Sequence, residues 1–266
     1  MQADDRSHRS PPCLHVLLNA ENNMHQASNL DAIPGIDHGF CSINDPLRPP
    51  DVFFCKQAHT ATIIEWHGDL VANTIEADGV FTRDKHPIAV ITADCLPLLV
   101  ASRQGDLVAA LHGGWKGLQG GIIANAMQRF AAQGIALDQL QVAIGPSIKP
   151  CCYEVSETFI AQLQASQGHL WQDSQAPWTF QQPAPLRAPT LAPPAARQPL
   201  SAWFDLSQYA LILLQAAGIS RQQVEVSEVC TYCTSNTFAS YRRRTHQSED
   251  KTLQYSWVAR TARETE

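Results

Sequence analysis

Short apolar runs, each bounded by Gly, Pro or Asp, recur along the middle of the chain. Runs of this length that are rich in Val, Ile and Leu predict buried β-strands. They lie at residues 52–55, 62–66, 88–90, 98–101, 107–111 and 142–144. Residues 120–133 and 207–217 instead place apolar side chains at helical spacing, and glycine follows each segment. The pattern therefore predicts a mixed α+β fold, in which mixed sheets are flanked by helices.

Two segments lack this periodicity. Residues 1–36 are polar and predict an irregular N-terminal lead-in. Residues 176–199 contain seven prolines, which remove backbone donors and disfavour both helix and sheet. We expect this Pro-rich segment to be an exposed insertion that a short linker could replace at a cost within about 1 kcal/mol. Because motifs lie on both sides of it, residues 37–266 are expected to form one catalytic domain.

Composition and charge narrow the class of protein. The chain has 266 residues, of which 44% are hydrophobic and 17% charged, a globular profile. A formal net charge of −6 argues against a nucleic-acid partner, and no apolar run approaches the roughly 20 residues of a membrane span. We find no secretory signal and expect a cytoplasmic monomer. In a reducing compartment, the eight cysteines are expected to be buried residues, metal ligands or nucleophiles rather than a disulfide framework.

Three short polar segments interrupt the apolar pattern, at residues 57–59, 92–97 and 111–117. They contain His59, Cys95 and His112, and the ends of neighbouring strands can bring such residues together. Two histidines and one cysteine are a ligand set that catalytic zinc uses, with the fourth position left to water or substrate. The alternative for each residue is structural: a hydrogen-bonded histidine at a strand end, or a cysteine that only fills space. Spacing alone leaves both interpretations open.

Five motifs occur in order along the chain and together resemble a known family. They are A-D-C-L-P-L-L at 93–99, H-G-G-W-K-G at 112–117, G-P-S-I at 145–148, C-Y-E-V at 152–155 and S-Y-R-R at 240–243. The combination resembles the YfiH-like family, the laccase-domain or polyphenol-oxidase-like proteins that are regarded as purine nucleoside phosphorylases. The resemblance implies a sandwich-like α/β fold and a zinc site formed by His59, Cys95 and His112, which predicts about one zinc ion per chain.

The same resemblance implies an activity and roles for further residues. It implies phosphorolysis of adenosine, inosine, guanosine and methylthioadenosine, together with deamination of adenosine at the same site. Zinc lowers the pKa of a bound water, which suits deamination, and Asp94 beside Cys95 is the candidate proton shuttle. Arg242 and Arg243 match the arginine pair of the family and are candidate phosphate ligands through bidentate contacts. Cys152, in the C-Y-E-V motif, is a candidate pocket residue.

Other functions use the same three ligands. A metal-dependent hydrolase of another small amide or amidine would need only these ligands, and copper in place of zinc would allow incidental oxidation of phenols. A four-copper oxidase is excluded because it needs about ten histidines in paired H-x-H arrangements, and the chain has ten histidines in total and no H-x-H. A non-enzymatic metal-binding protein is disfavoured because a three-ligand site leaves a coordination position open.

Cys230 and Cys233 form a C-x-x-C motif. Such a pair is typical of a redox dithiol or of half a zinc knuckle, and a knuckle requires a second pair of ligands. The sequence around the motif shows neither that second pair nor the strand-to-helix context of a redox site. Cys151 is expected to be a packing residue.

Overall fold

The fold consists of thirteen strands and six α-helices within residues 25–43, 45, 48–197 and 200–262, the ranges that this computed structural model describes. The strands are β1 (Ile36–Phe40), β2 (Phe53–Phe54), β3 (Ile63–Glu65), β4 (Gly79–Thr82), β5 (Ile88–Thr92), β6 (Leu96–Ser102), β7 (Val108–Gly113), β8 (Leu140–Ile144), β9 (Glu154–Ser156), β10 (Trp178–Thr179), β11 (Ser201–Phe204), β12 (Val224–Val226) and β13 (Gln254–Arg260). The α-helices are α1 (Ser28–Asp31), α2 (Trp115–Gln119), α3 (Ile122–Ala132), α4 (Glu157–Gln167), α5 (Leu206–Ala216) and α6 (Tyr241–Gln247).

The strands form three sheets. The largest has six strands in the order β12-β8-β6-β7-β4-β3, and its central strand β6 pairs antiparallel with both neighbours. The second has four strands in the order β1-β13-β5-β2, and the third has three, in the order β10-β11-β9. Parallel pairs occur at β12–β8, β3–β4 and β2–β5. The prediction of mixed sheets is therefore confirmed.

Alternation along the central strands explains how the layers pack. In β6, Leu96 and Leu98 face a core shared with the helices, whereas Leu99 faces the four-stranded sheet. The face towards that sheet also carries the small residues Ala110 and Ala143. Because side chains alternate between the faces of a strand, one run of apolar residues supplies both cores. The molecule is thus layered as helices, six-stranded sheet and four-stranded sheet.

Helices α3 and α5 contribute to the core on the outer face of the six-stranded sheet, and α4 packs against the three-stranded sheet. The predictions at 120–133 and 207–217 are confirmed as α3 and α5, and Gly134 and Gly218 follow them in the left-handed conformation, with φ of 79° and 94°. Helix α4 has no clear apolar stripe and was not predicted, since it buries only Ile160 and Leu163. Within the described ranges, every helix falls short of the length and apolar character that crossing a membrane requires.

The structure describes parts of the two segments without periodicity. Residues 1–24 of the lead-in lie outside the described residues, and for them the prediction stands untested. From residue 25 onwards the chain packs closely: Leu30 in α1 is fully buried, and the N–H of Ala27 donates to Nε2 of His38 at 2.8 Å. The described part of the Pro-rich segment is exposed on its outer side but tied to the core, because Thr190 and Leu191 donate their N–H groups to the carbonyl of Cys233.

Candidate metal centre and active site

His59, Cys95 and His112 converge where the chain passes from one sheet to the other. His59 lies in the connection from β2 to β3, and Cys95 in the connection from β5 to β6; both connections lead from the four-stranded to the six-stranded sheet. His112 lies in β7, beside β6. The three potential ligand atoms all lie within 4.8 Å of one another, and Cys95 Sγ is 3.8 Å from His59 Nε2. We call these three residues the triad.

The backbone around the triad is held in an uncommon conformation. His59 and Asp94 have φ of 61° and 86°, in the left-handed region that non-glycine residues rarely occupy. The buried carboxylate of Asp78 stabilises the first of these turns by accepting hydrogen bonds from the backbone N–H groups of Ala58, His59 and Thr60. The backbone conformation at His59 is therefore held by the carboxylate of Asp78.

Asp78 also orients the second histidine. Its Oδ1 lies 2.7 Å from Nδ1 of His112, which leaves Nε2 of that ring as the ligand atom. Burial raises the pKa of Asp78, but the hydrogen bonds from His112 and from the backbone of Thr60 outweigh it and hold the pKa well below its usual range. Sequence reasoning missed Asp78, which directly precedes β4 and belongs to no recognisable motif.

The ligand chemistry of the triad fits a borderline-soft cation. Burial raises the pKa of the Cys95 thiol, but His112 and His59 lower it to about 7, so a thiolate forms readily near neutral pH. Burial lowers the pKa of His112, while Cys95 and Asp78 raise it to about 9, and a bound cation would displace that proton. Gly114 completes the site, because a Cβ there would lie 2.6 Å from the His59 ring.

Asp94 does not face this centre. Its Oδ1 accepts from the hydroxyl of Thr231 at 2.7 Å, and its Oδ2 accepts from the backbone N–H of Arg242 at 2.7 Å. The carboxylate thus caps the first turn of α6 and holds the C-terminal segment against the β5–β6 connection. The prediction of Asp94 as a proton shuttle is corrected, since both of its oxygens are committed to these structural hydrogen bonds.

The two arginines predicted to bind phosphate have different environments. Arg243 is buried, and its Nε donates to both carboxylate oxygens of Glu249 at 3.0 and 2.9 Å. Its remaining nitrogens donate to the carbonyls of Thr231, Tyr232, Ser235 and Phe238. The prediction of Arg243 as a phosphate ligand is therefore corrected: its guanidinium holds a loop together. Arg242 donates to the Glu154 carbonyl at 2.8 Å and lies over the Tyr153 ring.

Arg242 lines a cavity of about 370 Å³ beside the triad. The other lining residues are Trp115, Tyr153, Glu154, Val155, Ser156, Phe159, Arg197 and His246. Two observations connect this cavity to the triad: Trp115 directly follows Gly114, and the charge of Cys95 adds to burial in raising the pKa of Tyr153. Arg197 and His246 had no motif by which sequence reasoning could have found them. A second cavity, of about 440 Å³, lies at α3, and neither cavity is lined by a member of the triad itself.

Cys152 lies elsewhere, in a group of four buried cysteines. Its side chain is inaccessible to solvent, and its Sγ is 3.2 Å from Sγ of Cys233. This corrects the interpretation of Cys152 as a pocket residue, because a fully buried thiol that contacts other cysteines cannot reach a ligand in the cavity.

Residues 43–252 match the family described as multi-copper polyphenol oxidoreductase laccase. The chain belongs to this family. It is 31% identical over 199 residues to purine nucleoside phosphorylase YlmD of Geobacillus stearothermophilus, covering 71% of this chain and 66% of that protein. It is 29% identical over 156 residues to adenosine deaminase RL5 of an unknown prokaryotic organism, covering 59% of this chain and 52% of that protein. The sequence alignments thus cover about two thirds of YlmD and about half of RL5.

A solved member of the family has the same fold. The crystal structure of YlmD from Geobacillus stearothermophilus superposes with a TM-score of 0.70 at 22% identity, covering 91% of this chain and all of the other. The predicted mixed α+β single domain is confirmed by this likeness, which at such identity concerns the fold alone.

Proposed function

We propose that this protein is a zinc-dependent purine nucleoside phosphorylase that also deaminates adenosine at the same site. The observation that carries the proposal is the triad, with two histidines and one cysteine within 4.8 Å, beside a cavity lined by aromatic rings and arginines. The names of the relatives YlmD and RL5 support the two activities. Inosine, guanosine and methylthioadenosine are the further substrates proposed.

The donor set supports zinc as the cofactor. Two imidazole nitrogens and a thiolate are a combination found at catalytic zinc, which keeps a fourth position open. Zinc in such a site acts as a Lewis acid and lowers the pKa of water that it binds. The family description refers to multi-copper chemistry, which needs many more histidines. The two metal-competent groups found among the described residues contain only His59 and His112 as histidines.

The cavity beside the triad suits a nucleoside and an anion. Trp115, Tyr153 and Phe159 offer aromatic faces and edges against which a purine base can pack. Arg242 and Arg197 line the same cavity, and guanidinium groups bind phosphate through paired hydrogen bonds. In phosphorolysis, a phosphate oxygen bonds to the anomeric carbon of the ribose as the bond to the purine nitrogen breaks. The purine takes up the electron pair and a proton, and ribose 1-phosphate is formed.

One reaction series tests the proposal. Purified protein is incubated with adenosine, with and without phosphate, and adenine, ribose 1-phosphate, inosine and hypoxanthine are separated. We expect adenine and ribose 1-phosphate only when phosphate is present, and inosine in both conditions. Equal release of adenine without phosphate would contradict phosphorolysis and leave a hydrolase. Absence of any nucleoside turnover by the zinc-loaded protein would overturn both activities.

The role of Arg242 is tested by Arg242→Ala. Loss of a charge-assisted contact of roughly 1.5–3 kcal/mol predicts a ten- to hundredfold higher KM for phosphate, while inosine formation changes much less. Arg244→Ala is the matched control, because Arg244 lies over the exposed ring of Tyr241 rather than in the cavity. An unchanged KM for phosphate in Arg242→Ala would remove Arg242 from the phosphate site.

A further inference from the structure

Four cysteines from two distant segments meet below the surface. Cys151 and Cys152 lie between β8 and β9, and Cys230 and Cys233 follow β12. All four are buried, and their sulfur atoms lie within 4.8 Å of one another. The measured Sγ–Sγ distances are 3.2 Å for Cys152–Cys233, 3.6 Å for Cys151–Cys152 and 3.9 Å for Cys151–Cys233. We call this group the four-cysteine cluster.

The spacing of the sulfur atoms matches a tetrahedron around one ion. A disulfide bond joins two sulfurs at about 2.05 Å, which is shorter than any of the measured separations. Four thiolates at about 2.3 Å from a central zinc lie roughly 3.8 Å from one another. The measured distances fall on either side of that value.

The segments that carry the cysteines are held rigidly. Arg243 donates to the carbonyls of Thr231 and Tyr232, between the two cysteines of the C-x-x-C motif. The C-x-x-C loop closes on itself, because the N–H of Thr234 donates to the carbonyl of Cys230 at 3.0 Å. In the other segment, the N–H of Cys152 donates to the Lys149 carbonyl at 2.9 Å. Ligands on such fixed loops need little rearrangement to coordinate a metal.

A buried cation accompanies the cluster. The Lys149 side chain is only 2% exposed, and its Nζ donates to the hydroxyls of Ser147 and Ser207, both of which are neutral. The backbone carbonyl of Lys149 accepts from the N–H of Cys152, so the ammonium belongs to the segment that carries Cys151 and Cys152. Four thiolates around a divalent ion carry a net charge of −2, so a buried ammonium on that segment offsets part of the cost of burying them.

The Pro-rich segment covers the cluster. Thr190 and Leu191 donate their N–H groups to the Cys233 carbonyl at 2.9 and 3.0 Å, and Leu191 packs against the cysteines. On the other side, Gln182 donates to the Cys151 carbonyl at 2.8 Å. The thiols are thereby shielded from solvent and from oxidants.

We propose that Cys151, Cys152, Cys230 and Cys233 bind a second zinc ion through four thiolates. Four protein ligands leave no position for water, so the ion is structural and distinct from the triad, with which it shares no residue. The site supplies the second ligand pair that the C-x-x-C motif lacks in its own neighbourhood. It joins the connection after β8 to the connection after β12, whose strands pair in parallel. This inference does not depend on the proposed function.

Zinc content per chain tests the proposal. The protein is purified under reducing conditions without chelator, and zinc is measured by elemental analysis. We expect two zinc ions per chain in the wild type, one in the double variant Cys230→Ser/Cys233→Ser, and one in His59→Ala/His112→Ala. The control Cys55→Ser, which changes a buried cysteine outside both groups, keeps two. Wild-type protein with no more than one zinc, all of it retained by the double cysteine variant, overturns the site.

A second measurement covers the case in which the cysteine variant does not fold. The folded His59→Ala/His112→Ala protein is loaded with cobalt(II), which gives intense sulfur-to-cobalt charge-transfer absorption when bound by thiolates. We expect that absorption from this variant at one cobalt per chain. Its absence, or thiol counting that shows a disulfide within the cluster, overturns the proposal. If this variant loses nucleoside turnover but keeps the cobalt spectrum, the four-cysteine cluster still binds metal although the triad has been removed.

Discussion

At the residue scale, Asp78 links both histidines of the triad. Its carboxylate accepts from the backbone N–H groups of Ala58, His59 and Thr60, from the Thr60 hydroxyl, and from His112. Because one buried carboxylate accepts from all of these donors, it holds the His59 loop and the His112 ring in position together. The metal affinity of the triad should therefore respond to Asp78 although it is not itself a ligand.

Replacing Asp78 with Asn should weaken zinc binding at the triad about ten- to hundredfold, the usual effect of losing a hydrogen-bond partner of a ligand. The amide nitrogen would face backbone donors and could not accept from them. Zinc affinity is measured by competition with a chelator of known affinity. The measurement uses a variant that lacks the four-cysteine cluster, or the zinc bound by that cluster is subtracted. Asp84→Asn, at an exposed carboxylate, is the control. Equal affinities in the two variants would show that Asp78 does not position the triad.

The residue scale also shows what a motif can predict. Donor type and strand-end placement made the three members of the triad candidates, and the family resemblance implied their role as ligands. Three other motif residues have structural roles instead. Asp94 caps a helix, Cys152 belongs to the four-cysteine cluster, and Arg243 holds a loop through hydrogen bonds to its carbonyls. A motif shows that a residue is used and does not show whether it faces the cavity or the core.

At the element scale, a histidine attaches α1 to the four-stranded sheet. Nε2 of His38 in β1 accepts from the N–H of Ala27, so this nitrogen carries no proton and the imidazole is neutral. Burial lowers the pKa of His38 to about 4, and the nearby charge of Glu225 only partly opposes this. Nδ1 lies 3.6 Å from the half-exposed carboxylate of Asp31.

This histidine predicts a pH dependence of stability. The folded pKa is about 4 and the unfolded value about 6.5, so the contribution is fully present above pH 6.5 and is lost as the pH falls towards 4. Within that window the free energy of unfolding should fall by up to about 1.4 kcal/mol per pH unit from this group. His38→Gln, which keeps an acceptor, should flatten the slope measured by urea unfolding, whereas His67→Gln at an exposed position should not. Equal slopes in both variants would contradict the role of His38.

The Pro-rich segment provides a second prediction at this scale. Replacing residues 183–197 with a Gly-Ser linker of equal length removes the Thr190 hydroxyl and the Leu191 side chain, and a flexible linker no longer holds its backbone N–H groups against the Cys233 carbonyl. A buried acceptor without a partner costs about 1–3 kcal/mol, so we expect a lower Tm and faster reaction of the four cysteines with a thiol reagent. Leu186→Ser, at an exposed position of the segment, should change neither. Unchanged stability and thiol reactivity would support the sequence-based expectation of a dispensable insertion.

Element types were predicted better than element partners. Strands and the helices α3 and α5 follow from apolar spacing, which is a local property. The Pro-rich segment is attached by hydrogen bonds to the carbonyls of Cys151 and Cys233. A local sequence pattern does not indicate which distant backbone carbonyls need a donor. The same reason explains why the four-cysteine cluster could not be predicted from the C-x-x-C motif.

At the scale of the whole molecule, the triad lies where two chain connections cross between sheets. His59 and Cys95 lie in connections that lead out of the four-stranded sheet, and His112 lies in the six-stranded sheet. The geometry of the triad therefore depends on how closely the two sheets pack. That separation is set by small residues on the facing surfaces, among them Ala110 and Ala143.

Ala110→Leu should separate the sheets and destabilise the protein by roughly 1–3 kcal/mol, because Ala110 is fully buried between them and overpacking forces the backbone to shift. Urea unfolding measures the change. Ala132→Leu, at the exposed end of α3, is the control and should stay within about 0.5 kcal/mol of the wild type. A wild-type stability for Ala110→Leu would show that the interface between the sheets has room to spare.

The position of β13 has a consequence for the order in which the fold can be completed during synthesis. β13 lies between β1 and β5, so the ribosome releases the central strand of the four-stranded sheet only after both of its neighbours. Until then, β1 and β5 each present an unpaired edge, which is the feature that favours aggregation of nascent chains. The six-stranded sheet lacks only β12 by residue 144, so it can form early and shield the apolar face it shares with the unfinished sheet. A chain that stops before residue 254 therefore leaves the β1 and β5 edges open permanently.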